Sequence, residues 1–79
     1  MSELLLRVNE VFRSVFDDDE LSVSRETTAA DVQGWDSLMH VRLMLSIEKA
    51  FRVRFLSSEV ASLKSVGSLI DLLSSKGAS

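Results

Sequence analysis

The chain has no cysteine, no proline and no tyrosine, and only three glycines in 79 residues. Without cysteine there is no disulfide framework, no thiolate nucleophile and no zinc–thiolate site. Any thioester chemistry must borrow its sulfur from a cofactor, and the composition suits a reducing, cytoplasmic setting. So little glycine and proline disfavours a turn-rich β fold and favours helices. No apolar run reaches the ~18 residues of a membrane span, so no stable membrane insertion is expected. The N-terminus, with Glu3, lacks the basic segment and apolar core of a signal peptide. An excess of basic charge is missing too. The net charge of −3 argues against nucleic acid as a partner.

What is present fits one small domain. A hydrophobic share of 46% with 27% charged residues is a globular composition. At this size about 60% of the unfolded chain's surface is buried, which leaves no room for a deep enzyme pocket beside a core. Residues 1–76 are expected to form the domain and 77–79 a short flexible tail, in a free-standing monomer. Charge is unevenly spread: residues 1–38 carry a net −6, residues 39–54 a net +3, and the remainder balances.

Leu4, Leu5, Val8, Val11, Phe12, Val15 and Phe16 recur at spacings of three and four and predict a first helix ending near Phe16. Ser2 can cap it, and Arg7, Asn9, Glu10 and Arg13 fall off the stripe, towards water. Residues 17–36 form a long loop, with Leu21 and Val23 as its anchors and Thr28 capping a short turn through Asp31. A second helix runs from Ser37 to about Phe51, capped by Asp36. It carries two apolar stripes. Leu43, Met44, Ile47, Ala50 and Phe51 suit the core. Leu38, Val41 and Leu45 make a second row, which a small domain leaves exposed as a partner surface. Val53 and Phe55 form a short extended link. Ser57 or Ser58 caps a brief third helix, which turns Val60 and Leu63 inward. Ser65 caps a fourth with Val66, Leu69, Ile70 and Leu73 at helical spacing, closed by Lys76 and Gly77. The expected fold is all-α: a small four-helix bundle of three principal helices and one short one.

The string Gly34-Trp35-Asp36-Ser37-Leu38 carries the chemistry. Gly34 lets the loop turn, Asp36 caps the helix, and Ser37 stands at a helix N-terminus that favours a phosphate. Trp35 is expected to pack over the helix start, and His40 to be a surface histidine.

With these residues in this order, the chain resembles the acyl carrier proteins. The likeness spans the first helix, the long loop, the Asp-Ser-Leu motif, Ile47 to Phe51 with Val53 and Phe55, and the short closing helices. It implies that Ser37 accepts 4′-phosphopantetheine from coenzyme A through a separate magnesium-dependent phosphopantetheinyl transferase. Asp36 and Leu38 then flank that cofactor site. An acyl chain rides as cargo on the added thiol, and acyl-loading and acyl-processing enzymes dock on Leu38, Val41, Arg42 and Leu45. The familiar fatty-acid carriers have a strongly acidic second helix. Here His40 and Arg42, and then Lys49, Arg52 and Arg54, stand in that region, which points to a dedicated carrier for one lipid or specialised acyl-metabolite pathway.

Other readings rest on the same residues. An unmodified helical adaptor would use the second helix for binding alone. An aminoacyl or peptidyl carrier would share the chemistry and differ in cargo. Asp36, Ser37 and His40 could suggest a hydrolase, but a triad needs its acid on the histidine, an oxyanion hole and a cleft. Asp17 to Glu20 lack the spacing of a calcium loop. No catalytic residue and no metal ligand is expected, and the chain is read as a carrier rather than an enzyme.

Overall fold

The structure is a computed structural model that describes residues 3–77. The expected Ser2 cap, and the tail beyond Gly77, lie outside the described residues. Four helices follow one another: α1 over Glu3–Val15, α2 over Ser37–Phe51, α3 over Ser57–Ser62 and α4 over Val66–Ser75. A single 3-10 turn at Ala29–Asp31 interrupts the loop between α1 and α2. Among the described residues there is no strand.

The apolar stripes meet as the periodicity requires. α1 packs on α2 and α4. Val8, Phe12, Leu43, Ile47, Val66 and Leu73 are fully enclosed at the centre. Burying each such side chain contributes roughly 1.5–3 kcal/mol, against the entropy of ordering the chain. Val53, Phe55, Val60 and Leu63 pack on the rim of this core. Ala50, expected on the buried stripe, is exposed.

The polar side of α1 departs from expectation. Asn9 does not face water; it is buried at 4% exposure. Its Nδ2 donates to the carbonyls of Leu5 and Val23 at 2.9 and 3.0 Å, and its Oδ1 accepts the Val23 N–H at 2.7 Å. Asn9 follows Leu5 by four positions and precedes Phe12 by three, so it lies on the edge of the buried face. A loop that crosses that edge brings backbone polar groups that must be paired. Arg7 and Arg13 are half-buried as well. Arg7 lies 4.3 Å over the Phe51 ring and donates to the Ala50 carbonyl at 3.3 Å. Arg13 Nε donates to the Leu21 carbonyl at 2.7 Å. Glu10 alone of the four is exposed, as expected.

The loop is therefore fastened along its length. Beyond Leu21 and Val23, the Thr27 carbonyl accepts the Val66 N–H at 2.9 Å and the Arg25 carbonyl accepts the Gly67 N–H at 2.8 Å. These bonds satisfy amides that open α4 and have no partner within the helix. The approach is close: a Cβ on residue 67 would stand 2.9 Å from the Arg25 carbonyl oxygen, so only glycine fits. Ser65 also caps α4, accepting the Ser68 N–H at 3.2 Å.

At α3 the start differs by one residue from the expected serine cap. Leu56 occupies the cap position and has no side chain for the role. Glu59 supplies the bond instead, its Oε1 accepting the Leu56 N–H at 2.8 Å. Lys76 Nζ lies 3.0 Å from the same carboxylate oxygen. These two partners, the Leu56 amide first, hold the Glu59 carboxyl below the ordinary glutamate pKa. The link before α3 is fixed from α2, where Glu48 Oε2 accepts the Phe55 N–H at 2.7 Å.

Candidate functional site

Three elements converge on the start of α2. The loop turns at Gly34, whose backbone is left-handed (φ +88°), a conformation glycine adopts without steric cost. Asp36 is extended and caps the helix, its Oδ1 accepting the Met39 N–H at 2.9 Å. Such a cap stabilises a helix by about 1 kcal/mol. Its backbone carbonyl takes the His40 N–H at 2.8 Å. The N–H groups of Ser37 and Leu38 have no partner among the described residues. Ser37 is the first residue of α2 and is exposed. A hydroxyl at that position stands beside free amides and the positive end of the helix dipole, so a phosphodiester on it would be stabilised.

Trp35 packs over the helix start as expected, and it brings a partner that sequence reasoning missed. Its indole meets Phe12 edge-on at 5.3 Å and Phe16 at 6.5 Å. Its Nε1–H donates to His40 Nδ1 at 3.1 Å, and the two rings lie nearly parallel, 6.0 Å apart. His40 is thus not a plain surface histidine but half-buried. The indole is a donor only, so Nδ1 accepts and Nε2 carries the proton. Nε2 then donates to the Val60 carbonyl of α3 at 3.1 Å. One imidazole ties the approach loop, α2 and α3 together. Both of its nitrogens are engaged, so neither is left to activate Ser37 as a general base. The only sequence sign was the five-residue spacing of an indole and an imidazole around a helix start.

The second apolar row of α2 is exposed. Leu38 is 69% accessible and Val41 and Leu45 are each 53%. Arg42, between them in sequence, is exposed as well. Leu56, just before α3, adds another exposed leucine. Two open grooves run along the surface between α2 and α3. One, of about 520 Å³, borders Trp35, Asp36, Ser37, His40 and Val41 and reaches Val60, Ala61 and Leu63. The other, about 350 Å³, continues past Val41, Val60 and Ala61 to Met44, Leu45 and Phe55. Their shared lining makes a mostly apolar path that starts at Ser37. A flexible arm attached there, with a polar head and an apolar load, has a surface to lie on. Among the described residues, no three His, Asp or Glu side chains gather as a metal site. Among the described residues, no helix is long and apolar enough to cross a membrane.

Comparison with known proteins bears on the same site. The family described as "Phosphopantetheine attachment site" matches residues 6–73. A search of curated proteins found no match. Among solved structures, the solution structure of the holo acyl carrier protein from Geobacter metallireducens superposes with a TM-score of 0.87 at 41% identity. The match covers 95% of this chain and 86% of that one.

Proposed function

This chain belongs to the acyl carrier proteins of the phosphopantetheine attachment-site family, and we propose that Ser37 is the residue that carries the arm. It is a carrier and not a catalyst. The observation that carries the assignment is the exposed Ser37 hydroxyl at the capped, amide-rich start of α2. In loading, the Ser37 oxygen forms a bond to the pantetheine-bearing phosphorus of coenzyme A. The pyrophosphate bond breaks, adenosine 3′,5′-bisphosphate leaves, and the hydroxyl proton passes to a base on the transferase. Once attached, the arm supplies the thiol that the cysteine-free chain lacks, and cargo is held on it as a thioester.

Asp36 keeps the helix start formed, its carboxylate accepting the Met39 N–H. Leu38 flanks the attachment point, and Val41, Arg42 and Leu45 continue the exposed row on which loading and processing enzymes dock. Residues 1–76 act as the carrier domain. The cargo is an acyl intermediate of a dedicated lipid or acyl-metabolite pathway; the basic stretch after residue 41 supports this over general fatty-acid synthesis.

Incubation with coenzyme A, magnesium and a broad-specificity phosphopantetheinyl transferase tests the assignment by intact mass. The parent gains one phosphopantetheine, and Ser37→Ala gains none while keeping its helical circular dichroism. An unmodified but folded parent, with transferases of different classes, would overturn it and favour the adaptor. An arm on Ser37→Ala would place the site elsewhere.

A further inference from the structure

The charge of the molecule changes sign around Leu45. That half-exposed leucine shares one groove with Arg42 and Lys49, and another with Lys49, Arg52 and Arg54. The ion pairs formed among the described residues are Arg25–Asp71 and Glu59–Lys76, so none of these four cations is neutralised by a carboxylate. The one acid in this stretch, Glu48, lines the second groove too, with its Oε2 accepting the Phe55 N–H, so the groove keeps a surplus of positive charge. An exposed apolar anchor ringed by unpaired cations calls for a complementary surface: an apolar recess rimmed by carboxylates.

Position identifies the occupant. Leu45 lies eight residues along α2 from Ser37, about 12 Å at 1.5 Å per residue. A partner face of about 800 Å² therefore covers both. An anionic bilayer fits less well. Val15 lines the same groove as Arg42 and Leu45, and the four carboxylates of Asp17–Glu20 follow just after it in exposed positions. A broad plane of negative charge would meet them, whereas a protein patch can stop short.

Building on the carrier reading of Ser37, we propose that the enzymes serving this carrier dock on α2 through an acidic surface, with Leu45 in its recess and Arg42, Lys49, Arg52 and Arg54 on its rim. Carriers and enzymes of the opposite polarity are rejected by like charge.

A charge swap tests this with the transferase assay as readout. The enzyme is used in two forms, one with a basic carrier-docking face and one with those bases replaced by glutamate. The carrier is used as parent and as Arg42→Glu/Lys49→Glu/Arg54→Glu, three exposed positions. The parent is modified at least about tenfold faster, in kcat/KM, by the acidic-faced enzyme, and the triple variant reverses that preference. Both differences shrink at 1 M salt, where screening acts within about 3 Å. Equal rates with both enzyme forms, or a parent that prefers the basic face, overturn the proposal while leaving Ser37 as the site. No modification of the folded parent or of the folded triple variant by either form removes the Ser37 assignment and the docking scheme with it. Two further results would overturn it in favour of another occupant. One is flotation of the parent, but not the triple variant, with phosphatidylglycerol vesicles. The other is a concentration-dependent dimer in sedimentation that the triple variant loses.

Discussion

Asn9 shows how one side chain can matter more to this fold than its chemistry suggests from the sequence. The apolar positions of α1 were legible from their spacing, and Val8 and Phe12 are enclosed as that spacing requires. A polar residue at the stripe's edge could equally have been solvated. What buries Asn9 is the loop that crosses it, and its partner amide at Val23 lies 14 residues away, beyond any local pattern. Asn9→Ala removes three hydrogen bonds and strands the Val23 N–H and carbonyl without water. Each buried group left unpaired costs about 1–3 kcal/mol. Urea unfolding is expected to show a loss of roughly 2–5 kcal/mol on that basis. Retention of parental stability would mean that water reaches Val23 in solution. His40 was hidden for a similar reason. The serine, its cap and its exposed leucine neighbours are contiguous in sequence, so that part of the site could be read. The indole–imidazole–carbonyl chain depends on where α3 is placed, and no short-range signal reports that.

At the scale of elements, the helices with strong local signals emerged close to their expected limits. α2 begins at Ser37 with Asp36 as its cap, and α4 follows the Ser65 cap. The six-residue α3 has too little of its own to define its ends. Its start is set by Glu59, three residues in, and its position by Lys76 and His40 from neighbouring elements. This makes α3 pH-sensitive in a definite direction. Glu59 has a lowered pKa in the folded chain, so its contribution is present above the unfolded value. It is lost as pH falls through the ordinary glutamate range near ~4.3 and below the folded value. Amide NMR shifts of Leu56 and Val60 are expected to move together over that descent. In Glu59→Gln this acid-range movement should vanish; an unchanged titration would assign it to another group.

Over the whole molecule, the long connection between α1 and α2 acts as a brace. Arg13 and Asn9 hold it to α1, the Arg25 and Thr27 carbonyls join it to α4, and Trp35 returns it to the aromatic cluster of Phe12 and Phe16. Its length and its two apolar anchors were legible in the sequence. Its hydrogen-bond partners were not, because each lies on an element that folding brings up from a distance. Ser37, Leu38, Val41 and Leu45 on α2 stay exposed beside it. The brace also changes the order in which parts of the molecule come undone. An irregular connection ordinarily opens first, its amides trading protons with solvent within moments. The Val23 amide sits among core side chains with Asn9 as its acceptor, and it can reach deuterium only when α1 parts from the loop. In hydrogen–deuterium exchange, Val23 should therefore keep time with Phe12 and Ile47 rather than with exposed Ser22 and Ser24, so that a stretch without helix or strand reports the lifetime of the entire fold.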